Sequence, residues 1–600
     1  MKLKPLFTFL MAILPCTWVA AQGGENLQIT SLGADNTLVT FDAANEYLLL
    51  PIEEYAPEAK VNVLIDGQIV QQFTARLAQS KHDYFVPFKL EPYKGRHVVL
   101  NIETSNERSR VRFGKTDVCW KLMKLADTFP TDNTEKYRPA YHHTPLYGWM
   151  NDPNGMFWKD GVWHLYYQFN PYGSMWGNMT WGHSTSRDLL HWDHHPEAIW
   201  ADGLGSVFSG SCVVDKNNTA GFGKDAVVAI YTSAGKSQQQ SLAYSTDGGM
   251  TFTKYPYNPI ITSDKETRDD NFFWDEEHGY WVLALADALT HQDLFYTSPD
   301  LKHWTLSGKF GLGYGSQNGV WECPDLMRLP VRGTNRHKWV LLVNINPGAP
   351  FGGSGTQYFV GEWDGKTFTC DEPSYVTKWI DYGRDHYAAV SWSNAPDGRK
   401  TIIGWMSNWQ YANIVPTMQF RSANTLPREL DLIKADDGSY VVASLPSPEC
   451  LNLRGEKTSY GSMDADGSVL VLPKEKDGLY EIVLTVRLDS RGKADIVLMN
   501  DKDERVTMTY DAQAQSFSMD RTQSGLTDFS DDFPCTTLAT TSRSRTQELR
   551  LFIDRCSIEA FAGDGRFAMT NLVFPSEPYS KISVSGGCRV QALDVYKINP

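Results

Sequence analysis

Five apolar strands recur along the middle of this chain: Val162–Gln168, Val227–Ser233, Tyr280–Ala286, Lys338–Asn344 and Thr401–Ser407. Their markers Trp163, Val228, Trp281, Trp339 and Ile402 stand 65, 53, 58 and 63 residues apart. Four of the strands are followed by an Asp with an aromatic ring shortly after it: Asp188 to Trp192, Asp247 to Phe252, Asp300 to Trp304 and Asp364 to Phe368. A strand, a partner strand and an Asp-led turn, repeated at this long period, describe propeller blades. Sandwich strands instead follow one another every 8–12 residues or so. Five copies predict a five-bladed β-propeller over residues 129–435, with polar side chains of the inner strands converging on one axial cavity.

The flanks extend an all-β fold. Over residues 22–128 short strands alternate, as in the hairpin Lys60–Ile69, where Val61, Val63 and Ile65 lead into Asp66-Gly67. No group of residues in this module carries evident chemistry. Residues 436–600 show short alternating strands such as Leu479–Val486 and Leu549–Ile553 between Asp-Gly and Gly-Gly turns, which favours a β-sandwich. At the N-terminus, Lys2 and Lys4 precede an apolar run, and Val19-Ala20-Ala21 supplies a cleavage site, so residues 1–21 read as a signal peptide. Pro15 before Cys16 argues against a lipoprotein anchor. The expected location is periplasmic or extracellular.

A net charge of −15 argues against nucleic acid or an anionic membrane as the main partner. No second apolar stretch is long enough to span a bilayer. Nineteen Trp and 28 Tyr suit a surface that stacks on carbohydrate, although core filling accounts for many of them. The eight cysteines after the leader are scattered, with no C-x-x-C pair, and read mostly as small buried hydrophobes. No sequence signature of a metal or organic cofactor is present. The pairs His142-His143 and His194-His195 are expected to be structural, since adjacent side chains rarely share one ligand sphere.

Three acids stand in informative settings. Asp152 lies in Asn151-Asp152-Pro153-Asn154-Gly155, just after Trp149; Pro153 and Asn154-Gly155 predict a turn rather than a central strand. Glu322 lies in Trp321-Glu322-Cys323-Pro324, where weakly polar neighbours would raise its pKa. Asp269 lies in Arg268-Asp269-Asp270; alternation along a strand predicts that Asp269 and Asp270 do not both enter a pocket. Cleaving a glycosidic bond needs two such carboxyl groups, one ionised and one protonated.

The order of these segments resembles glycoside hydrolase family 32, the β-fructosidases (invertases, inulinases and levanases). The resemblance spans about residues 135 to 600, including Leu549–Phe561 in the C-terminal part, and leaves the first module outside. It implies that Asp152 is the nucleophile, Glu322 of W-E-C-P the acid/base, and Asp269 of R-D-P the transition-state stabiliser, with Asp270 replacing the usual Pro. It also implies sugar contacts from Gln168 (Y-Q-x-N-P), Trp176 (W-G-x-x-x-W-G-H), Phe208 and Ser209 (F-S-G-S) and Trp405. Asn151 and Arg268 beside the acids, and Asp381 on the acceptor-sugar side, complete the set. The expected activity is retaining hydrolysis that releases terminal fructose from levan, inulin, fructo-oligosaccharides or sucrose. Endo-action, fructosyl transfer and a fructan-binding protein with a dead site are the rivals; arabinan- or xylan-acting five-bladed hydrolases match the acid motifs poorly.

Overall fold

The computed structural model describes residues 26–33, 35–104 and 117–600; the expected leader lies outside them. The chain divides into two compact units, 1–130 and 131–600. In the first, a five-stranded sheet runs in the order Gln28–Gly33, Asn36–Asp42, His97–Thr104, Ala59–Ile65, Gln68–Ala75. A three-stranded sheet joins Tyr84–Lys89, Tyr47–Ile52 and Lys124–Ala126. The expected hairpin is present: Val61, Val63 and Ile65 are buried, and Asp66 and Gly67 take φ of 50° and 77°, the pair of positive values a tight two-residue turn requires.

In the second unit, five sheets of four or five strands, antiparallel apart from one closing pair, succeed one another among the described residues. Their innermost strands are Gly148–Lys159, Ser206–Asp215, Thr267–Asp275, Val320–Pro330 and Tyr387–Ser391. Each packs on the next, and the fifth returns to the first, so the strands form a ring. The five recurring apolar segments are the second strands of these sheets: Val162–Asn170, Ala226–Ala234, Tyr280–Asp287, His337–Asn346 and Thr401–Trp405. Their continuous hydrophobicity has a geometric cause. Alternate residues point to opposite faces, so Val227 and Ala229 pack toward the first sheet while Val228 and Ile230 pack toward the third. The Asp-led turns follow the third strands, where Asp188, Asp300 and Asp364 each accept two backbone N–H groups and Asp247 accepts that of Thr251. The ring closes where Phe420–Arg421 pairs in parallel with Gly148–Trp149. The fifth sheet runs on through Tyr440–Pro446, past the boundary expected at 435, because Asp436-Asp437-Gly438 is a hairpin turn inside the sheet (Gly438 φ 89°) rather than a domain end.

The C-terminal part is a β-sandwich whose interior holds Ile482, Leu484, Ile496, Leu498, Leu551, Ile558 and Leu593. Its 18-residue strand Lys581–Ile598 pairs first with Lys493–Met499 and then with Tyr480–Leu488. Wholly buried ion pairs link it to the ring. Arg428 bonds Asp381 (2.8 Å) and Glu559 (2.6 Å), His142 lies between Asp554 (2.7 Å) and Glu559 (2.9 Å), and Arg521 meets Asp385 (2.5 Å). The carboxylates hold His142 protonated against the cost of burial, raising it to about 9. His143 instead bonds Asn424 and Ser184; burial, with His194 nearby, lowers it to about 3. All eight described cysteines are free, five of them buried.

Candidate active site

Each inner strand carries one residue too many at the same level. Between Met150 and Pro153 the partner strand advances two residues while the inner strand advances three. The same mismatch occurs between Val207 and Gly210, Arg268 and Asn271, Glu322 and Asp325, and Tyr387 and Val390. A bulge of this kind bends the strand and re-aims the side chains within it. Asp152 and Asp269 sit within one, and Glu322 is the last paired residue before another. Asp269, Cys323 and Ala388 occupy equivalent bulge positions and all take left-handed backbone, with φ of 61°, 45° and 52°. Such strain costs about 1–3 kcal/mol per residue and is held in place by the surrounding structure.

The bulge also corrects one expectation. Asn151–Gly155 is not a free turn; it lies inside the strand Gly148–Lys159. Pro153 is tolerated because the ladder is interrupted on both sides of it, which is where a sheet admits proline. Asp269 and Asp270 both lie within the bulge of their strand and both are buried.

Asp152 is the best-supplied acid. Its Oδ1 accepts the Asn151 amide (2.9 Å), and its Oδ2 accepts Ser209 Oγ (2.6 Å) and, more weakly, Cys323 Sγ (3.6 Å). Asn151 is itself held by the Trp149 indole N–H (2.8 Å), so its amide orients the acid. Burial raises the Asp152 pKa, while these donors and Arg268 oppose the rise. Glu322 faces Arg268 Nε at 3.1 Å and accepts a short hydrogen bond from the Tyr387 hydroxyl. Its pKa is also raised by burial, against Arg268 and with the charge of Asp152. The raised pKa matches the sequence expectation, but the setting differs, because a cation and a phenol pull against the burial. Asp269 has its backbone N–H on Thr232 Oγ1 (2.9 Å) and Arg268 3.8 Å from its carboxylate. Burial and the charge of Glu322 hold its pKa well above the carboxylate range. Among the described residues Arg268 is the one cation in ion-pair contact with these acids.

Other expected contacts divide into two groups. Gln168 is buried with its amide nitrogen unpartnered, which leaves a donor for a ligand. Trp176, 44 % exposed, stands edge-on to Phe208 with ring centres 6.1 Å apart. Trp405 is fully buried and packs in an aromatic cluster with Trp149, Trp409 and Tyr387 rather than standing as an open wall. Asp381 is not placed for an acceptor sugar: both its oxygens are taken by Arg428, Thr570 and the Gly383 N–H, in the buried joint to the sandwich. The pattern that suggested it, an Asp before Tyr-Gly-Arg, marks that joint. Tyr387 was missed, although it occupies in the fifth strand the place of Arg268 in the third and Glu322 in the fourth. Aligning the inner strands would have exposed it.

The model of the glycosyl hydrolases family 32 N-terminal domain matches residues 142–444 of this chain, spanning the ring and all three acids. The chain belongs to glycosyl hydrolases family 32. The family's C-terminal model matches residues 449–597, and a domain of unknown function (DUF4980) matches residues 33–141. The chain is similar to a levanase of Bacillus subtilis, 43% identical over 77% of this chain and 71% of that protein. It is also similar to an extracellular exo-inulinase of Aspergillus awamori, 36% identical over 80% of this chain and 97% of the relative. The crystal structure of that organism's exo-inulinase aligns at TM-score 0.72 and 35% identity, covering 78% of this chain and 99% of the other. Family 32 membership therefore covers the ring and the sandwich and leaves the first unit without a known role.

Proposed function

We propose that this chain is a secreted, retaining β-fructosidase that releases terminal fructose from fructans such as levan and inulin, and from sucrose. One observation carries the roles: Asp152 receives three donors, the arrangement that favours an ionised nucleophile, while Glu322, on the fourth inner strand, combines burial with the like charge of Asp152. Asp152 attacks the anomeric carbon as Glu322 gives its proton to the departing oxygen. Glu322 then takes a proton from the water that cleaves the fructosyl–Asp152 ester, so configuration is retained. Asp269 accepts hydrogen bonds from ring hydroxyls as positive charge develops on the sugar. Exo-action is supported by the similarity to the extracellular exo-inulinase of Aspergillus awamori. Secretion is supported by the leader-like residues 1–21 and by the extracellular inulinase relatives; among the described residues no helix is long and apolar enough to cross a membrane.

Early time courses on levan, inulin and sucrose test the proposal. Free fructose should be the first product from every substrate on which the chain acts, released with the anomeric configuration of the substrate bond when followed by NMR. Long oligosaccharides before fructose would overturn exo-action, and an inverted first product would overturn the nucleophile.

A further inference from the structure

A groove of about 390 Å³ crosses the acid-bearing end of the third sheet. Its position follows from strand register. Thr267, next to Arg268, pairs with Asp287, and Asp287 pairs with Gln292. This row leads outward from the catalytic bulge by two strand spacings, about 10 Å. From Gln292 the alternate residues Leu294 and Tyr296 share one face, with Lys309 opposite Leu294 and Leu306 opposite Tyr296. The segment Thr262–Lys265 forms the other wall, tied down by Lys265 to Asp287 at 2.9 Å.

The chemistry of the lining is that of a sugar site. The half-buried Tyr296 ring and the exposed Leu306 supply an apolar floor. Around it, the Tyr296 hydroxyl, the Lys309 ammonium and the Asp264 carboxylate make no hydrogen bond or ion pair among the described residues, and Gln292 uses only its amide nitrogen, on Thr290. Donors and acceptors of both kinds thus converge on a volume within the usual range for small-ligand sites, about 300–1,000 Å³. The mixed charge of Lys309 and Asp264 suits neutral hydroxyls better than an anion or a cation.

We propose that this groove is a distal holding site for a fructan chain, resting on the fructan-hydrolase reading of the acids. A polymer bound there has its end kept at high local concentration beside the acid ring, so successive terminal units are presented without full dissociation. Sucrose, with a single fructosyl unit, is too short to use it.

The test uses the full chain carrying Lys309→Ala, an exposed position that leaves the fold intact, and separately Tyr296→Ala. Both should keep the wild-type kcat/KM on sucrose and lose about tenfold on long levan or inulin (1.4 kcal/mol), mainly through KM. Wild-type kcat/KM on the polymer in both variants, or equal losses on sucrose and polymer in Lys309→Ala, would overturn the holding site. A second readout is independent of turnover. The full chain with Asp152→Asn should be retarded in a gel containing levan or inulin, and adding Lys309→Ala and Tyr296→Ala should abolish much of that retardation. Retardation unchanged by the two substitutions overturns the groove. If the wild type released no fructose from any substrate, the hydrolase reading would fall, while the gel would still decide the groove.

Discussion

Replacing Tyr387 with Phe isolates one interaction at the proton-carrying acid. The ring is buried against Trp405, and Phe preserves that packing. What is lost is the hydroxyl that donates to Glu322 Oε2. This bond favours the ionised carboxylate, so it lowers a pKa that burial raises. A hydrogen bond to a charged group contributes about 1.5–3 kcal/mol; at 1.36 kcal/mol per pH unit, its loss should raise the Glu322 pKa by about 1–2 units. The protonated form is the active one in the first step. The basic limb of kcat/KM, which reports the acid in the free enzyme, should therefore move to higher pH by that amount. The acidic limb should stay near its wild-type position. The assay is fructose release at low sucrose concentration across pH, with thermal unfolding to verify that the fold is unchanged. A basic limb that stays in place, or moves down, would refute the assignment of Tyr387 as donor to an ionised Glu322.

Three further substitutions test the geometry. Ser209→Ala removes the 2.6 Å donor from Asp152; a bond of this kind contributes about 1.5–3 kcal/mol, so kcat on sucrose should fall by about one to two orders of magnitude with the fold intact. Asp270→Asn should leave activity near wild type, because the buried Asp270 carboxyl has no hydrogen-bond partner of good geometry and burial pushes its pKa well above the usual range, so it is already neutral. Its raised pKa means the folded state holds a proton the unfolded state releases, so wild-type stability should decline relative to Asp270→Asn as pH rises above about 4; parallel melting curves across pH would contradict this. Arg428→Met strands Asp381 and Glu559 without their shared cation and should cost about 3–5 kcal/mol, read as a lower denaturant midpoint.

Much of the architecture was legible in local pattern. A second strand flanked by sheets on both faces must be apolar throughout, which is why Val227–Ser233 and its counterparts stood out, and an Asp that caps a turn needs only its own next few residues. The hairpin at Asp66-Gly67 was legible for the same reason. The three acids were legible as motifs, since each lies in a short run with neighbours that set its backbone. What the sequence could not carry is the register between strands. Pro153 and Asn154-Gly155 placed Asn151–Gly155 in a turn, and strand alternation set Asp269 and Asp270 on opposite faces. The tertiary pairing instead made each segment a bulge in an inner strand, because the extra residue is defined only against the partner strand. The same holds for Asp381, whose partners Arg428 and Thr570 are 47 and 189 residues away, and for Tyr387, which meets Glu322 only because the ring brings the fifth strand beside the fourth. Local sequence thus determined the elements and the chemistry available to them. Long-range pairing decided which side chains face one another, because strand register is a property of two segments at once and burial is a property of the whole fold.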